Sequence, residues 1–375
     1  MADKIRFNNR AKTQFFATLR KRTDAYFAEN KLDRSANGEM WFKVGLISIL
    51  YLGLYAAIIS AQFSGLVTLL MALAMGIAAA LMGFNICHDA IHGSLGKKAV
   101  INKVFSSMFY LIGASPYVWH VSHNVVHHTY TNVPGHDEDI EVFPGLVRLD
   151  TAEEVNRAHA YQHFVAFGLY SLASLAWVLT KDFVKFFQTK IGQYAVIHPR
   201  KEYYNLFIYK ALYYFFFIAL PIIILPFAWW QVILGFVAMH MVEGLIISLV
   251  FQLAHVIEGT DFPVPDQDNQ LEEAWAEHQL LTTANFSPNS KMASFLLGGL
   301  NRQIEHHLFP KICHVHYPAL APIVKQTAEE FGLPYIENKS FFSALRSHYR
   351  LLKNMGKEAY REKKQLKLKQ LKQAA

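Results

Sequence analysis

Four stretches of the chain are almost free of polar residues: Val44 to Gln62, Leu66 to Ile86, Ile208 to Phe227 and Trp229 to Leu253. Each has the roughly 17–25 residues that a helix needs to cross a hydrocarbon core. Short turns join them in pairs, so they are predicted to form two tight hairpins. Two further apolar stretches, Val104 to Val118 and Phe164 to Leu179, are shorter and broken, the first by Gly113 and Pro116 and the second by small residues. If either crossed alone, the basic residues after it would change sides, so both are expected to be interfacial or re-entrant helices. The pattern predicts one all-α integral membrane domain over residues 1–375. Its transmembrane helices lie near 44–62, 66–86, 208–227 and 229–253, and residues 1–43, 87–207 and 254–375 form a cytoplasmic helical cap.

Composition agrees: 53% of the 375 residues are hydrophobic and 17% are charged, an unusual balance for a soluble domain. The first 40 residues are polar and basic, so no secretory leader is expected. No Lys or Arg occurs between Lys43 and Lys97, or between Lys210 and Lys291, which leaves both hairpin tips bare of positive charge. Both termini and the middle segment are therefore expected in the cytoplasm, and a bacterial inner membrane suits this arrangement. The net charge of +7 then belongs to one face, suited to anionic lipid headgroups or to coenzyme A. Lys97, Lys98, Lys103 and Lys190 are candidates for holding such a carrier, against the plainer reading of membrane-facing lysines. No nucleic-acid module is present. Cys87 and Cys313 face the reducing side and are expected to stay unpaired. The end of the chain, Lys353 to Ala375, reads as a solvated tail or an amphipathic surface helix.

The chemistry lies in 18 histidines that cluster at the cytoplasmic ends of the spans. His88 and His92 follow the second span; His123, His127 and His128 lie in the middle segment; His306 and His307 come after the fourth span, three and four residues beyond Gln303. A lone His-x3-His arises about once by chance at this histidine content, but the other two patterns do not. Residues four apart share a helix face, so His88 with His92 and His123 with His127 each present two imidazoles. His128, about 100° around from His127, serves a second ion. His255, at the mouth of the fourth span, completes eight imidazoles, enough for two metals. Imidazole does not choose between metals, but a structural zinc closes with four ligands, whereas a pair with open positions activates a small molecule; iron is favoured. Asp89, Asn124 and Glu305 are candidates for holding the rings from behind, against a simple capping role. The run His136 to Glu141 reads as a polar loop, not as a carboxylate metal site. His120 and the remaining histidines are expected to be ordinary hydrogen-bonded or surface residues. His240 and Glu243, inside a span, form a stripe with Ile247 and Phe251, which lines a substrate tunnel or holds a structural His–Glu bond.

These motifs resemble the three histidine boxes of the membrane fatty acid desaturases. Gln303 at the head of the third box, in Gln303 to Pro310, is similar to the front-end branch, which desaturates between an existing double bond and the carboxyl end. The segments His123 to Glu141 and Trp275 to Phe286 also look familiar for that family. The resemblance implies a di-iron centre held by His88, His92, His123, His127, His128, His255, His306 and His307, with Gln303 as an additional or water-mediated ligand. Many front-end relatives carry a fused cytochrome b-type domain with a His-Pro-Gly-Gly motif. This chain has none, so its electrons are expected from a separate ferredoxin or cytochrome b-type protein, as in linoleoyl-CoA desaturase-like enzymes. The implied reaction uses dioxygen on a long acyl-CoA or acyl-lipid. Rival readings are hydroxylation or ketolation at the same centre, and a zinc-dependent membrane lipid amidase, which needs only three histidines.

Overall fold

In the computed structural model, which describes residues 4–8, 14–143, 145–195 and 197–374, the apolar stretches wind into long helices. After α1 (Phe15–Glu29) come α2 (Gly38–Ile59) and α3 (Gly65–His92), the first hairpin. The Asn37 side chain starts α2 by accepting from the Met40 amide at 3.0 Å. Next come α4 (Ala99–Ile112), α5 (residues 116–127), α6 (His159–Phe187), α7 (Arg200–Ile224) and α8 (Trp229–His255). The chain ends in shorter helices, α9 (Trp275–Thr282), α10 (Lys291–Leu296), α11 (Gln303–Leu308), α12 (Tyr317–Glu330) and α13 (Phe341–Lys353), and then α14 (Ala359–Ala374). Strands among the described residues are confined to two-residue ladders: Arg6–Phe7 runs parallel to Gln270–Leu271 and Asn285–Phe286 parallel to Glu337–Asn338, each tying distant loops, and Lys190–Ile191 forms a local antiparallel hairpin with Tyr194–Ala195.

Among the described residues, α2, α3, α6, α7 and α8 are long and apolar enough to cross a membrane. The fold is thus all-helical with five such helices, one more than the sequence pattern predicts. The additional one is α6, which grows from the expected Phe164 to Leu179 stretch into 29 residues. Asp182 and Lys185 near its end look like a polar terminus in sequence, but the fold buries both. Asp182 pairs with Lys210 at 2.9 Å, and Lys185 with Asp139 at 3.3 Å. The other weak stretch breaks as its residues suggest: α4 stops at Gly113, whose φ of +81° suits glycine, and α5 begins at Pro116.

Burial sorts the helices. The apolar windows of α3 and α8 are each 39% buried, whereas those of α2 and α7 are 22% and 17% buried. The outer pair shows Ile49, Phe42 and Ile223 to the surroundings, a belt that would be costly in water and is natural against lipid. The inner helices meet through glycine. A methyl group built at Gly76 of α3 would sit 2.3 Å from the Met239 carbonyl oxygen of α8, and one at Gly244 of α8 would sit 2.7 Å from the Ser171 carbonyl oxygen of α6. Close backbone approach of this kind is how helices associate where no hydrophobic force separates protein from lipid. The short helices after α8 fold back over the ends of α3 and α8 and make a second core around Phe15, Leu280, Ile304, Leu308 and Leu320.

Leucine at position 76 or 244 is expected to cost about 1–3 kcal/mol through overpacking. Thermal unfolding of the detergent-solubilised Gly76→Leu and Gly244→Leu proteins would show it, and wild-type midpoints would mean that these helices do not meet there.

Candidate metal centre

The histidines come from four elements whose local winding aims them inward. Just before His88, residues 83–87 wind as a π-helix, and α3 ends at Gly93 in the left-handed conformation directly after His92. A second π-wound segment, His120–His127, carries the middle cluster. Here the structure differs from α-helical spacing. The His128 amide donates to the His123 carbonyl oxygen five residues back at 3.0 Å. Wider winding makes both followers neighbours of His123, with ring centroids 5.0 Å away for His127 and 4.8 Å for His128. His255 ends α8, and His306 and His307 sit on α11.

These eight rings pack at one place. His88, His92, His123 and His306 offer nitrogens that all lie within 4.8 Å of one another, and so do those of His127, His255 and His307. His128 joins His306 and His307 in a third such set, which links the two groups. All eight are buried. The Nε2 atoms of His88, His92, His123, His127 and His306, and both ring nitrogens of His128, have no hydrogen-bond partner. Buried polar atoms without partners are costly, and seven of them gathered in these adjoining groups fit metal coordination. The Gln303 side chain closes the second group, its amide nitrogen 2.9 Å from His255 Nε2 and 3.4 Å from His307 Nε2, with its oxygen unpartnered.

Behind the rings, acceptors fix the tautomer that frees Nε2. His127 Nδ1 lies 2.8 Å from Asp137, and His123 Nδ1 lies 3.1 Å from Asp139. His307 Nδ1 meets Gln279 at 2.7 Å, and His255 Nδ1 meets the Thr282 carbonyl oxygen at 3.3 Å. His306 Nδ1 meets the Tyr317 hydroxyl at 3.2 Å. Such outer hydrogen bonds hold metal-binding imidazoles in orientation. Burial drives His128, His306 and His307 well below the ordinary imidazole range and brings His123 down to about 4, against the pull of Asp139, so these rings are neutral with lone pairs available. In His127 burial pushes the same way, but Asp137 outweighs it and the ring is shifted upward.

Asp89, Asn124 and Glu305, expected beside the rings, face elsewhere, because the residue next to a helical histidine lies about 100° around. Asp89 accepts from His314 Nδ1 at 2.9 Å and from the Cys313 thiol, with Lys43 on the far nitrogen of His314. Asn124 donates to the Ile91 carbonyl oxygen. Glu305, raised by burial to about 7, accepts from Tyr335 and Asn285. All three brace the scaffold. The residues that do meet the rings include Asp137 and Asp139, whose signal in sequence was the acidic run read as a loop. Gln279 and Thr282 lie in the Trp275 to Phe286 segment that resembles the family but had no role of their own in the sequence, and Tyr317 carried no signal. His120 lies outside every histidine group.

Ile247 and Phe251 line a cavity of about 80 Å³ beside the centre, together with Trp119, Trp177 and Lys181. Phe251 meets the His123 ring at 5.8 Å and Trp119 stacks on it at 4.0 Å. His240 and Glu243 do not line this cavity. They form a buried pair at 3.0 Å, in which His240 also meets Ser174 and Tyr213, each at 2.9 Å, and Ser174 does reach the cavity wall.

Comparison with known proteins places this geometry. Residues 64–339 match the family model described as fatty acid desaturase. An acyl-lipid (8-3)-desaturase of Physcomitrium patens is 36% identical over 353 residues, covering 92% of this chain and 72% of that protein. An sn-1 linoleoyl-lipid 6-desaturase of Synechocystis is 35% identical over 362 residues, 95% of this chain and 99% of the relative. An acyl-lipid (8-3)-desaturase of Mortierella alpina is 29% identical over 92% of this chain and 78% of its own length.

Two measurements probe the centre. Asp137→Asn keeps the His127 ring but weakens the acceptor that orients it, so metal affinity is expected to fall about 10–100-fold in titrations of chelator-stripped protein; unchanged affinity would dismiss the orienting role. The metal-free protein should also lose stability with acid. His123 stays neutral down to about 4 when folded but takes a proton near 6.5 when unfolded, so the unfolded state binds more protons in that window and stability is lost as pH falls through it. Unfolding midpoints that stay flat from pH 7 to 4 would contradict this.

Proposed function

The chain belongs to the fatty acid desaturase family, and we propose that it inserts a double bond on the carboxyl side of an existing one in a long acyl-lipid. It is an oxidoreductase. The observation that carries the oxidative chemistry is the linked pair of imidazole groups, with seven ring nitrogens left without a hydrogen-bond partner. His88, His92, His123 and His306 would hold one iron, and His127, His255 and His307 the other, with His128 between them and Gln303 completing the second. A closed zinc site would use four of these rings and leave the rest without purpose.

An iron pair supplies reductive activation of dioxygen. Removing two hydrogens from adjacent methylenes while dioxygen becomes two waters leaves two electrons and two protons to be provided, and a separate ferredoxin or cytochrome b-type protein is the proposed source. The chain's own work is to fix the imidazoles, shut out water and lay the acyl chain against the centre. Trp119 and Phe251 do the last of these, because they form the wall between the His123 ring and the cavity. The names of the Synechocystis and Physcomitrium relatives favour a lipid ester over acyl-CoA and a front-end position.

Four crossings, with both termini and the cap on the cytoplasmic side, are the topology we favour. Both ends of α6 tie to the side that carries the histidines. Near its start, Gln162 donates to the Leu352 carbonyl oxygen at 2.9 Å, in the helix whose His348 meets the carbonyl oxygen of Val256, the residue after His255. Near its end, Lys185 reaches the Asp139 that orients His123. A helix whose two ends share one side does not cross, so α6 lies beneath the cap and α2, α3, α7 and α8 make the four spans. The absence of Lys and Arg from both hairpin tips supports this orientation.

Fatty acid methyl ester profiles of cells that express the chain and are fed unsaturated fatty acids should show a new double bond nearer the carboxyl end. A His127→Ala, His128→Ala double variant should lack it. Hydroxylated product would keep the metal centre and overturn the reaction, while bound zinc without iron and no product would overturn both.

A further inference from the structure

Lys181 is the least settled charge near the centre. It is half-buried on α6 and lines the cavity beside His123, yet among the described residues it makes no hydrogen bond and no ion pair. An ammonium group withdrawn from water without a partner is costly. Its potential partners are spent. Asp182 accepts from the Ser115 amide and the Trp177 indole at 2.8 Å each and pairs with Lys210 at 2.9 Å. Asp139 serves His123 and Lys185, and Glu138 also faces Lys185, at 3.5 Å.

The cavity around Lys181 has both apolar and polar lining. Ile247, Phe251, Ala173, Trp119 and Trp177 give it apolar wall, interrupted by Ser174, Ser248 and Gln252, and Lys181 lines it together with Asp139, Asp182 and Lys185. One turn further along α6, Lys185 reaches the carboxylate that orients His123, so this charged lining lies close to the metal groups. Three carboxylates, Glu138, Asp139 and Asp182, balance three lysines, 181, 185 and 210, so the site does not gather a dianion. What it offers is one unspent N–H donor, which suits a neutral oxygen acceptor.

Resting on the desaturase reading above, we propose that Lys181 anchors the acyl carbonyl oxygen at the head of the substrate, so that the position of the new double bond is counted from that carbonyl. The carbonyl is common to lipid esters and coenzyme A thioesters, and the anchor serves either. The chain runs from Lys181 past the tryptophans, which places carbons near the carboxyl end at the centre and leaves the tail for the apolar wall.

The test compares wild type, Lys181→Met and Lys181→Arg as full-length proteins in cells fed a single unsaturated fatty acid. Double-bond position is read by mass spectrometry in separated phospholipid and acyl-CoA pools after a short pulse, and metal content is read on the purified proteins. The expected result for Lys181→Met is wild-type metal with at least tenfold less product at the wild-type position, or product spread over neighbouring positions, while Lys181→Arg keeps the position. The pool in which the loss first shows identifies the carrier. Wild-type yield and position in Lys181→Met would overturn the anchor, as would loss of metal together with product, which would mark a structural role. If wild type itself yields no new double bond, the desaturase reading fails instead, and the two failures are thereby distinct.

Discussion

Eight imidazoles buried within a few ångströms of one another cannot carry charge together, and this constraint shapes the rest of the molecule. Desolvation and mutual repulsion keep most of the rings neutral, so each must commit to one tautomer and aim one lone pair. Where the outer nitrogen finds Asp137, Asp139, Gln279, Tyr317 or the Thr282 carbonyl oxygen, the inner one is freed. The short helices over α3 and α8 bring in Gln279, Thr282 and Tyr317, and the loop after α5 brings in Asp137 and Asp139. These supports are thus the means by which buried rings from distant segments are held in one protonation state.

The sequence disclosed the rings more readily than their supports. Histidines at spacings of four and five stand out against composition, and His255 was marked by its place at the end of an apolar run. Four of the five long helices were equally visible, because uninterrupted apolar length is a one-dimensional property. The supports depend on three-dimensional pairing. Asp137 and Asp139 sat in an acidic run that reads as a solvated loop until the fold seals it, and Gln279 and Tyr317 resemble any polar residue on a helix. Asp89, Asn124 and Glu305 were chosen for adjacency in sequence, which on a helix points a side chain away. The π winding of His120–His127 also escaped, since the pattern of residues there is compatible with an ordinary helix. So did the full length of α6, whose charged end is polar in sequence and paired in space.

Small residues set how close the framework comes. Gly76 and Gly244 let α8 lie backbone to backbone against both α3 and α6, and α8 therefore connects the first hairpin, α6 and the centre. The same helix delivers His255 at its end and Ile247 and Phe251 along one face, so the position of a ligand and the wall of the cavity are set by one rigid body. A shift of α8 along its axis would move both together, which couples the fit of the acyl chain to the geometry of the rings.

The pairing of Asp182 with Lys210 bears on how the protein is made. As α6 leaves the ribosome it is apolar enough to enter a bilayer, yet its end carries an acid whose partner belongs to α7 and has not been synthesised. Until α7 arrives, that carboxylate has water as its best neighbour, which would hold the end of α6 at the surface and weigh against a crossing. Only when Lys210 emerges can the acid be drawn in against Trp177 and Ser115. The order of translation would thus favour the four-crossing topology proposed above over a five-span alternative that the hydrophobicity of the finished chain would otherwise permit.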